Sequence, residues 1–317
     1  MRVVILDDGY DHYEAERAIL APLGASLVLS PCRGDAAAVR AALAGADAAL
    51  VRESPVDAAA FAAAPGLRGL VRYGVGVDNI DLAAAAARRI PVCNVPDYGV
   101  EEVSDHALAL LLAAARRLPM AEARVRSGGW GVPRAAPVFR LAGGTLGLIG
   151  LGRIGSAFLR KARALGFARV LIADPGLRRP PEGCELADAL VVAEQADAIS
   201  LHAPATPATR HIVDHAFLVR MKRNAVLVNT SRGALVDEAA LAAALHKGLI
   251  LGAGLDVFEV EPLPADSPLR GAPNLILTDH AAWYSEAAIV DLQRKAAEEI
   301  ARMLRGEVPR HQVNRWE

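Results

Sequence analysis

"LGLIGLGRIGSAFLRKARALGF", residues 146–167, sets an apolar run against three glycines in the spacing Gly150-x-Gly152-x-x-Gly155 and follows them with an amphipathic stretch. A short apolar run that ends at glycine reads as a buried strand, and the stretch from Arg153 onward reads as a helix. Each glycine has its own task. The first permits a tight turn, the second lets the backbone approach a pyrophosphate, and the third lets helix and strand pack closely. The anion would rest on N–H groups at the positive end of the helix, with Arg153 and Ile154 in its first turn. The next apolar run, "ARVLIAD" (168–174), ends in Asp174, close to the ~20 residues expected between this turn and a ribose-binding acid. An acid there accepts hydrogen bonds from ribose hydroxyls and repels a 2′-phosphate, which favours NAD over NADP. Arg178 and Arg179 are the counter-evidence, read here as residues of a solvated loop.

Outward from this motif, short β-branched runs alternate with alanine-rich helical stretches. "RVVIL", "SLVLS", "AALVR", "GLVRY" and "PVCNV" read as strands up to residue 98. The helices between them are closed in several cases by glycine. Six further strands are expected after residue 144: "TLGLIG", "ARVLIAD", "DAISLH", "AVLVNT", "ILGAGLDV" and "NLILT". Strands that alternate with helices form parallel sheets covered on both faces. The expected fold class is therefore α/β, with two Rossmann/flavodoxin-like doubly wound domains and an active-site cleft between them. Residues 101–118 read as one long helix, and the Gly/Pro-rich "RSGGWGVPRAAPVFRLAGG" (126–144) as a loop. The last helix, from Ser285, is expected to return to the first domain. Residues 1–98 plus 284–317 would then form a substrate domain and 99–283 the dinucleotide-binding domain.

Composition narrows the function classes. The 317 residues are 53% hydrophobic and 22% charged with a net charge of −1, as in an ordinary globular protein. No basic stripe is present, so neither nucleic acid nor an anionic membrane surface is an expected partner. No apolar stretch approaches the ~18 residues of a membrane span. Cys32, Cys93 and Cys184 lie far apart with no CxxC pair, which argues against a zinc site or a disulfide framework and fits a reducing compartment. No metal is expected. "MRVVILDDGY" lacks the long apolar core of a secretory signal, and the expected location is the cytoplasm.

Three segments of the second series carry reactive side chains just past a strand, where ligands of open α/β sheets bind. "VNTSRG" carries Arg232, "GLDVFEVEP" carries Asp256 and Glu261, and "TDHAAW" carries His280. Alone, each has a structural reading: a helix-entry arginine, a loop carboxylate, a strand-end histidine. Together they supply a cation, an orienting carboxylate and a base, the set that a hydride transfer requires.

On these motifs, with "YGVGVDNID" (73–81), "LHAPATPATRHIV" (201–213) and "NTSRGALVDEAAL" (229–241), the chain resembles the NAD-dependent D-2-hydroxyacid dehydrogenases over nearly its whole length. "VRYGVGVDNID", "VCNVPDYGVEEVSD" and "HAAWYSEAA" are most similar to the C-terminal-binding-protein branch, which includes dehydrogenase-like transcriptional corepressors. The resemblance implies Arg232, Glu261 and His280 as the catalytic set and Asp256 near the nicotinamide amide. It also implies a cofactor lining of His202, Ala203, Pro204, Thr209, Thr230, Ser231 and Ala282. His280 would exchange the hydroxyl proton, Glu261 would stabilise its charged form, and Arg232 would bind the substrate carboxylate. In one respect the chain departs from the family: proline usually precedes this histidine, and here Asp279 does.

For substrate, Arg52 and Arg72 end strands of the first series, and Arg72 matches a substrate contact of that branch. If both face the cleft, the substrate carries a second anionic group; a pair of solvated arginines is the alternative. Backbone N–H groups of Val75 and Gly76 are candidates for the substrate carboxylate, and Trp283 for closing over the 2-oxo acid side chain. Tyr10 and Tyr98 are weaker candidates. Two functions stand: a D-2-hydroxyacid dehydrogenase acting as a 2-oxo acid reductase, and an NAD(H)-responsive binding protein with little turnover. The resemblance further implies a homodimer built on the long helix and the "RSGGWGVPRAAP" excursion.

Overall fold

Five short strands form from the apolar runs of the N-terminal third: β1 (Arg2–Ile5), β2 (Ser26–Leu29), β3 (Ala48–Val51), β4 (Leu70–Arg72) and β5 (Val92–Cys93). In the computed structural model, which describes residues 1–316, they make one parallel sheet in the order β2-β1-β3-β4-β5. Every residue of β3 is buried, as expected of a central strand covered on both faces, whereas edge strand β2 is only partly covered. Helices start where the sequence places aspartate before alanines. The side chains of Asp35, Asp57 and Asp81 each accept the backbone N–H of a residue two or three positions on, caps worth ~1 kcal/mol apiece. The final helix, Glu286–Leu304, capped by Ser285, packs against β3, β4 and the helix Glu14–Leu20. Its buried Leu292, Ala296 and Ile300 share a core with Val3, Ile5 and Val71. Residues Met1–Gly99 and the segment from Ser285 onward therefore make one compact unit, and Val100–Tyr284 a second.

The second unit is built on seven parallel strands: β6 (Thr145–Ile149), β7 (Arg169–Ala173), β8 (Glu185–Leu186), β9 (Ala198–Leu201), β10 (Val226–Asn229), β11 (Gly252–Leu255) and β12 (Leu275–Leu277). Their order is β12-β11-β10-β9-β6-β7-β8. The order of connection along the sheet reverses between β6 and β9, the point at which an open sheet of this kind binds ligand. Six strands were expected from the sequence; the seventh, β8, is two exposed residues at the sheet edge with no apolar run to reveal them. Arg169 of β7 grips Glu185 of β8 through two nitrogens, at 3.1 and 2.7 Å.

The stretch read as one helix over 101–118 is two. Val100–Ala115 ends, Arg117 takes a left-handed backbone (φ 51°), and a second helix spans Leu118–Arg126. Pro119 in its first turn explains the break, because proline has no N–H to donate to the Ala115 carbonyl four residues back and its ring would clash with that carbonyl in a continuous helix. The longer helix packs on β10 and β11 of its own unit, burying Ala107, Leu110, Leu111 and Ala114 in their core. Among the described residues, no helix is long and apolar enough to cross a membrane.

Candidate active site

The glycine turn follows β6. Gly150 has φ 91°, and a Cβ on it would lie 2.7 Å from the Ala203 nitrogen, so the backbones leaving β6 and β9 touch here. A Cβ on Gly155 would meet the Gly150 carbonyl oxygen at 2.8 Å, which fixes how closely the helix Arg153–Ala162 sits on the turn. Gly152 is that helix's N-cap. It offers no capping side chain, and a Cβ there would meet nothing within 4 Å. Open space over helix N–H groups at the positive end of the dipole fits a pyrophosphate. Asp174 accepts from Leu151 N at 2.8 Å with one oxygen and from Gly176 N at 2.9 Å with the other. The acid therefore shapes the turn, and Arg178 and Arg179 are exposed beyond it.

Past β9 and β10 the polar side chains divide. Burial pushes the His202 imidazole down to about 3, so it is neutral at any ordinary pH; its Nε2 meets Ser200 Oγ at 3.0 Å. His202 Nδ1 and Thr230 Oγ1 are buried and without a hydrogen-bond partner among the described residues, the condition of atoms that a bound ligand would satisfy. Ser231 and Thr209 instead have partners within the chain. Ser231 Oγ donates to Leu201 O at 2.8 Å, tying the end of β10 to that of β9, and Thr209 Oγ1 donates to Pro204 O at 2.7 Å, closing the turn that follows Ala203.

Arg232, Glu261 and His280 stand on three successive strand-end loops. Glu261 Oε2 meets His280 Nδ1 at 2.7 Å, and its Oε1 accepts from Phe258 N at 2.9 Å. Burial pushes the Glu261 carboxyl up, but the His280 hydrogen bond, the Phe258 amide and the charges of His280 and Arg232 outweigh it and hold the group below its ordinary value. The carboxylate is ionised at neutral pH and takes the Nδ1 proton, which leaves Nε2 of a half-exposed ring as the position for chemistry. Arg232 NH1 donates to Ser231 O at 2.7 Å, and its own carbonyl accepts from Asn229 Nδ2 at 2.8 Å.

His280 has φ 56°, a left-handed backbone that non-glycine residues adopt at a cost of ~1–3 kcal/mol. Asp256 holds it there. The wholly buried Asp256 accepts His280 N on its carbonyl oxygen at 2.8 Å, Ala281 N on Oδ1 at 3.0 Å and Ala282 N on Oδ2 at 2.9 Å. Asp279, where proline is usual, is exposed.

This arrangement lies in a segment whose sequence is diagnostic: residues 108–282 match the family model "D-isomer specific 2-hydroxyacid dehydrogenase, NAD binding domain". The chain belongs to that family. It is 44% identical over 266 residues to a glyoxylate reductase of Korarchaeum cryptofilum, a match covering 82% of this chain and 80% of that protein. It is 42% identical to a D-3-phosphoglycerate dehydrogenase of Methanocaldococcus jannaschii over 78% of this chain, but over only 48% of that longer protein. Among solved structures, an NADPH-dependent glyoxylate/hydroxypyruvate reductase of Sinorhizobium meliloti superposes with a TM-score of 0.86 at 32% identity, over 98% of this chain and 96% of the other. The chain is thus an NAD-dependent oxidoreductase acting on the CH–OH group of 2-hydroxy acids, as family membership, the glyoxylate reductase relative and the solved D-lactate dehydrogenases similar to it establish.

The remaining candidates of this dehydrogenase lie in the first unit, apart from Trp283, whose ring meets Tyr284 edge-on at 5.9 Å. Arg72 lies over the "YGVGV" turn, where a Cβ on Gly74 would be 1.7 Å from its NH1. Val75 is exposed at the tip and Gly76 partly so. Arg52 donates to Gly9 O at 3.3 Å and lies 5.8 Å from the ring centre of Tyr10. Three site residues escaped the sequence reading. A Cβ on Gly233 would sit 1.8 Å from the Phe258 carbonyl carbon, so only glycine lets the Arg232 and Glu261 loops meet; glycine directly after a strand-end arginine was the signal. Thr278 and His106 reach Asp256 from two other elements. Thr278 stands beside the quoted histidine, but nothing in its helix marks His106 as more than a half-buried side chain.

Proposed function

We propose that this dehydrogenase works as an NADH-dependent reductase of small 2-oxo acids, glyoxylate among them, with His280 as acid/base, Glu261 as its orienting carboxylate and Arg232 as carboxylate anchor. The observation that carries the reading is the 2.7 Å contact of Glu261 Oε2 with His280 Nδ1, on loops adjoining the one that carries Arg232. In the reductive direction the His280 imidazolium delivers its Nε2 proton to the carbonyl oxygen; in oxidation Nε2 removes the hydroxyl proton. Glu261 complements the imidazolium's charge and fixes the ring. The Arg232 guanidinium holds the substrate carboxylate and polarises the carbonyl, a task suited to a planar fork of donors. When bound, nicotinamide supplies the hydride to C2 or accepts it. The glycine turn, Asp174, His202 and Thr230 would hold that cofactor, with Asp174 setting the preference for NADH.

The first unit is assigned as the substrate domain and the second as the cofactor domain. Arg72 and the Val75 and Gly76 amides are assigned to the substrate's carboxylate end, Arg52 to a second anionic group where the substrate has one, and Trp283 to its side chain. Small 2-oxo acids are favoured because the glyoxylate reductase relative is matched over most of its length. Three free cysteines support a reducing, cytoplasmic setting. Apolar side chains exposed between Leu118 and Phe139 support a homodimer.

The test is NADH oxidation by the purified protein with glyoxylate, hydroxypyruvate, phenylpyruvate and phosphorylated 2-oxo acids, repeated with NADPH. Turnover that prefers NADH and is lost in His280→Ala supports the reading. Tight NADH binding without turnover on any 2-oxo acid would replace it with the NAD(H)-responsive binding protein.

A further inference from the structure

We infer that His106, on the helix Val100–Ala115, is a positioning residue for His280, acting through Thr278 and Asp256. The inference rests on the acid/base reading of His280. Thr278 Oγ1 lies 2.6 Å from Asp256 Oδ1 and 2.9 Å from His106 Nε2. A hydroxyl has one proton. Asp256 as a carboxylate only accepts, so the proton of Thr278 goes to Asp256, and toward His106 the hydroxyl can only accept. His106 Nε2 therefore carries a proton and donates it, and the same nitrogen stands 3.5 Å from Asp256 Oδ1.

The direction of every bond in the chain is then fixed. His106 donates to Thr278, Thr278 donates to Asp256, and Asp256 receives the amides of Ala281 and Ala282 on its two oxygens. Asp256 is wholly buried, and its Oδ1 meets this hydroxyl, the Ala281 amide and, at 3.5 Å, His106 Nε2. The two amides belong to the residues immediately after His280, whose left-handed backbone must be held against its own preference. His106 thus sits at the far end of a network whose near end is the turn that aims the imidazole. The helix carrying it packs on β10, β11 and β12, the strands that lead to the three catalytic loops, so its position is set by the same core.

The experiment compares His106→Leu, His106→Gln and Thr278→Val with the wild type and with His280→Ala, measuring glyoxylate reduction, NADH affinity by fluorescence, thermal midpoint, and hydrogen exchange at Ala281 and Ala282. Glutamine places an N–H near the position of Nε2; leucine does not. We expect His106→Leu to lower kcat by about ten- to a hundredfold, the scale on which misplacement of a reacting group is felt. Its NADH affinity and thermal midpoint should stay near wild type, the two amides should exchange faster, and His106→Gln should restore most of the rate. Should His106→Leu fold poorly, Thr278→Val breaks the same chain without touching the helix and should show the same loss of kcat and faster exchange. A His106→Leu enzyme within twofold of wild type, alongside an inactive His280→Ala, overturns the positioning role while leaving the acid/base reading intact. An active His280→Ala overturns that reading itself.

Discussion

Glu261 Oε2 and His280 Nδ1 lie 2.7 Å apart although 19 residues separate them in the chain. The contact follows from sheet order: β11 and β12 are neighbours and parallel, so the loops leaving their carboxyl ends emerge side by side. Glu261→Gln keeps a side chain of the same size but removes the charge. Its kcat is expected to fall by about ten- to a hundredfold, less than the ~10²–10⁴-fold loss expected for His280→Gln, which removes the proton carrier. Steady-state kinetics of both variants check the ranking, and an unimpaired His280→Gln would end the assignment.

The Glu261 carboxyl, held below its ordinary value of 4.5, also predicts a pH profile. A group whose folded pKa is depressed contributes stability at higher pH and loses it as pH falls through the folded value. The pair should therefore stay intact down to pH 4.5 and break only below it. In wild type the acid limb that reports on Glu261 should lie under that value, and Glu261→Gln should abolish it.

Asp174, the proposed ribose contact, also accepts Leu151 N and Gly176 N and so braces the turn itself. Asp174→Asn retains an acceptor oxygen while removing the negative charge. The ratio of kcat/KM for NADPH over NADH is expected to rise by about tenfold or more, the worth of ~1.4 kcal/mol of repulsion of a 2′-phosphate. An unchanged ratio would assign cofactor choice to other residues. Asp174→Ala should in addition weaken binding of both cofactors, because the turn loses its two acceptors.

Both sheets and the glycine turn were legible because local chemistry determines them. Central parallel strands such as "AVLV" (225–228) and "LGLI" (146–149) are buried on both faces and so are apolar throughout, and aspartates before alanine runs mark helix starts. Arg232, Glu261 and His280 were picked out as candidates because each lies a few residues past such a strand. What the sequence hid depends on contacts between distant segments. β8 is defined by its pairing with β7, to which Arg169 adds a contact with Glu185, and not by any apolar run of its own. His106 is one polar residue on a helix with an Ala/Leu face, and only the fold brings it to Thr278. The left-handed backbone of His280 is likewise enforced by Asp256, and "DHAA" carries no glycine to announce it.

His202 makes stability depend on pH over an acid window that opens above the one set by Glu261. Its folded value is pushed from 6.5 down to about 3 by burial. Between those limits the unfolded chain binds a proton that the folded one refuses, so the fold is destabilised as pH falls from 6.5 toward about 3. The thermal midpoint should decline across that window. His202→Gln, neutral at every pH, should flatten that part of the curve; an identical slope in the variant would place the acid sensitivity elsewhere.

The assembly prediction turns on which apolar surface remains uncovered. The helix Val100–Ala115 directs Ala107, Leu110, Leu111 and Ala114 into its own unit, so that face has no surplus for a partner. Beyond the break at Arg117 the pattern reverses. On the helix Leu118–Arg126, Leu118 and Val125 are about half exposed, and in the segment after it Trp130 and Val132 are exposed by 91% and 89%. The proposed homodimer would cover this apolar stretch, and covering an exposed tryptophan or valine side chain is worth ~1.5–3 kcal/mol. Light scattering on the eluting peak should report a dimer for wild type. Trp130→Ser combined with Val132→Ser should shift it to monomer at micromolar concentration without lowering the thermal midpoint of the chain by more than a few degrees, because neither side chain belongs to a core. A wild-type monomer would refute the dimer, and a variant that stays dimeric would move the interface away from this segment.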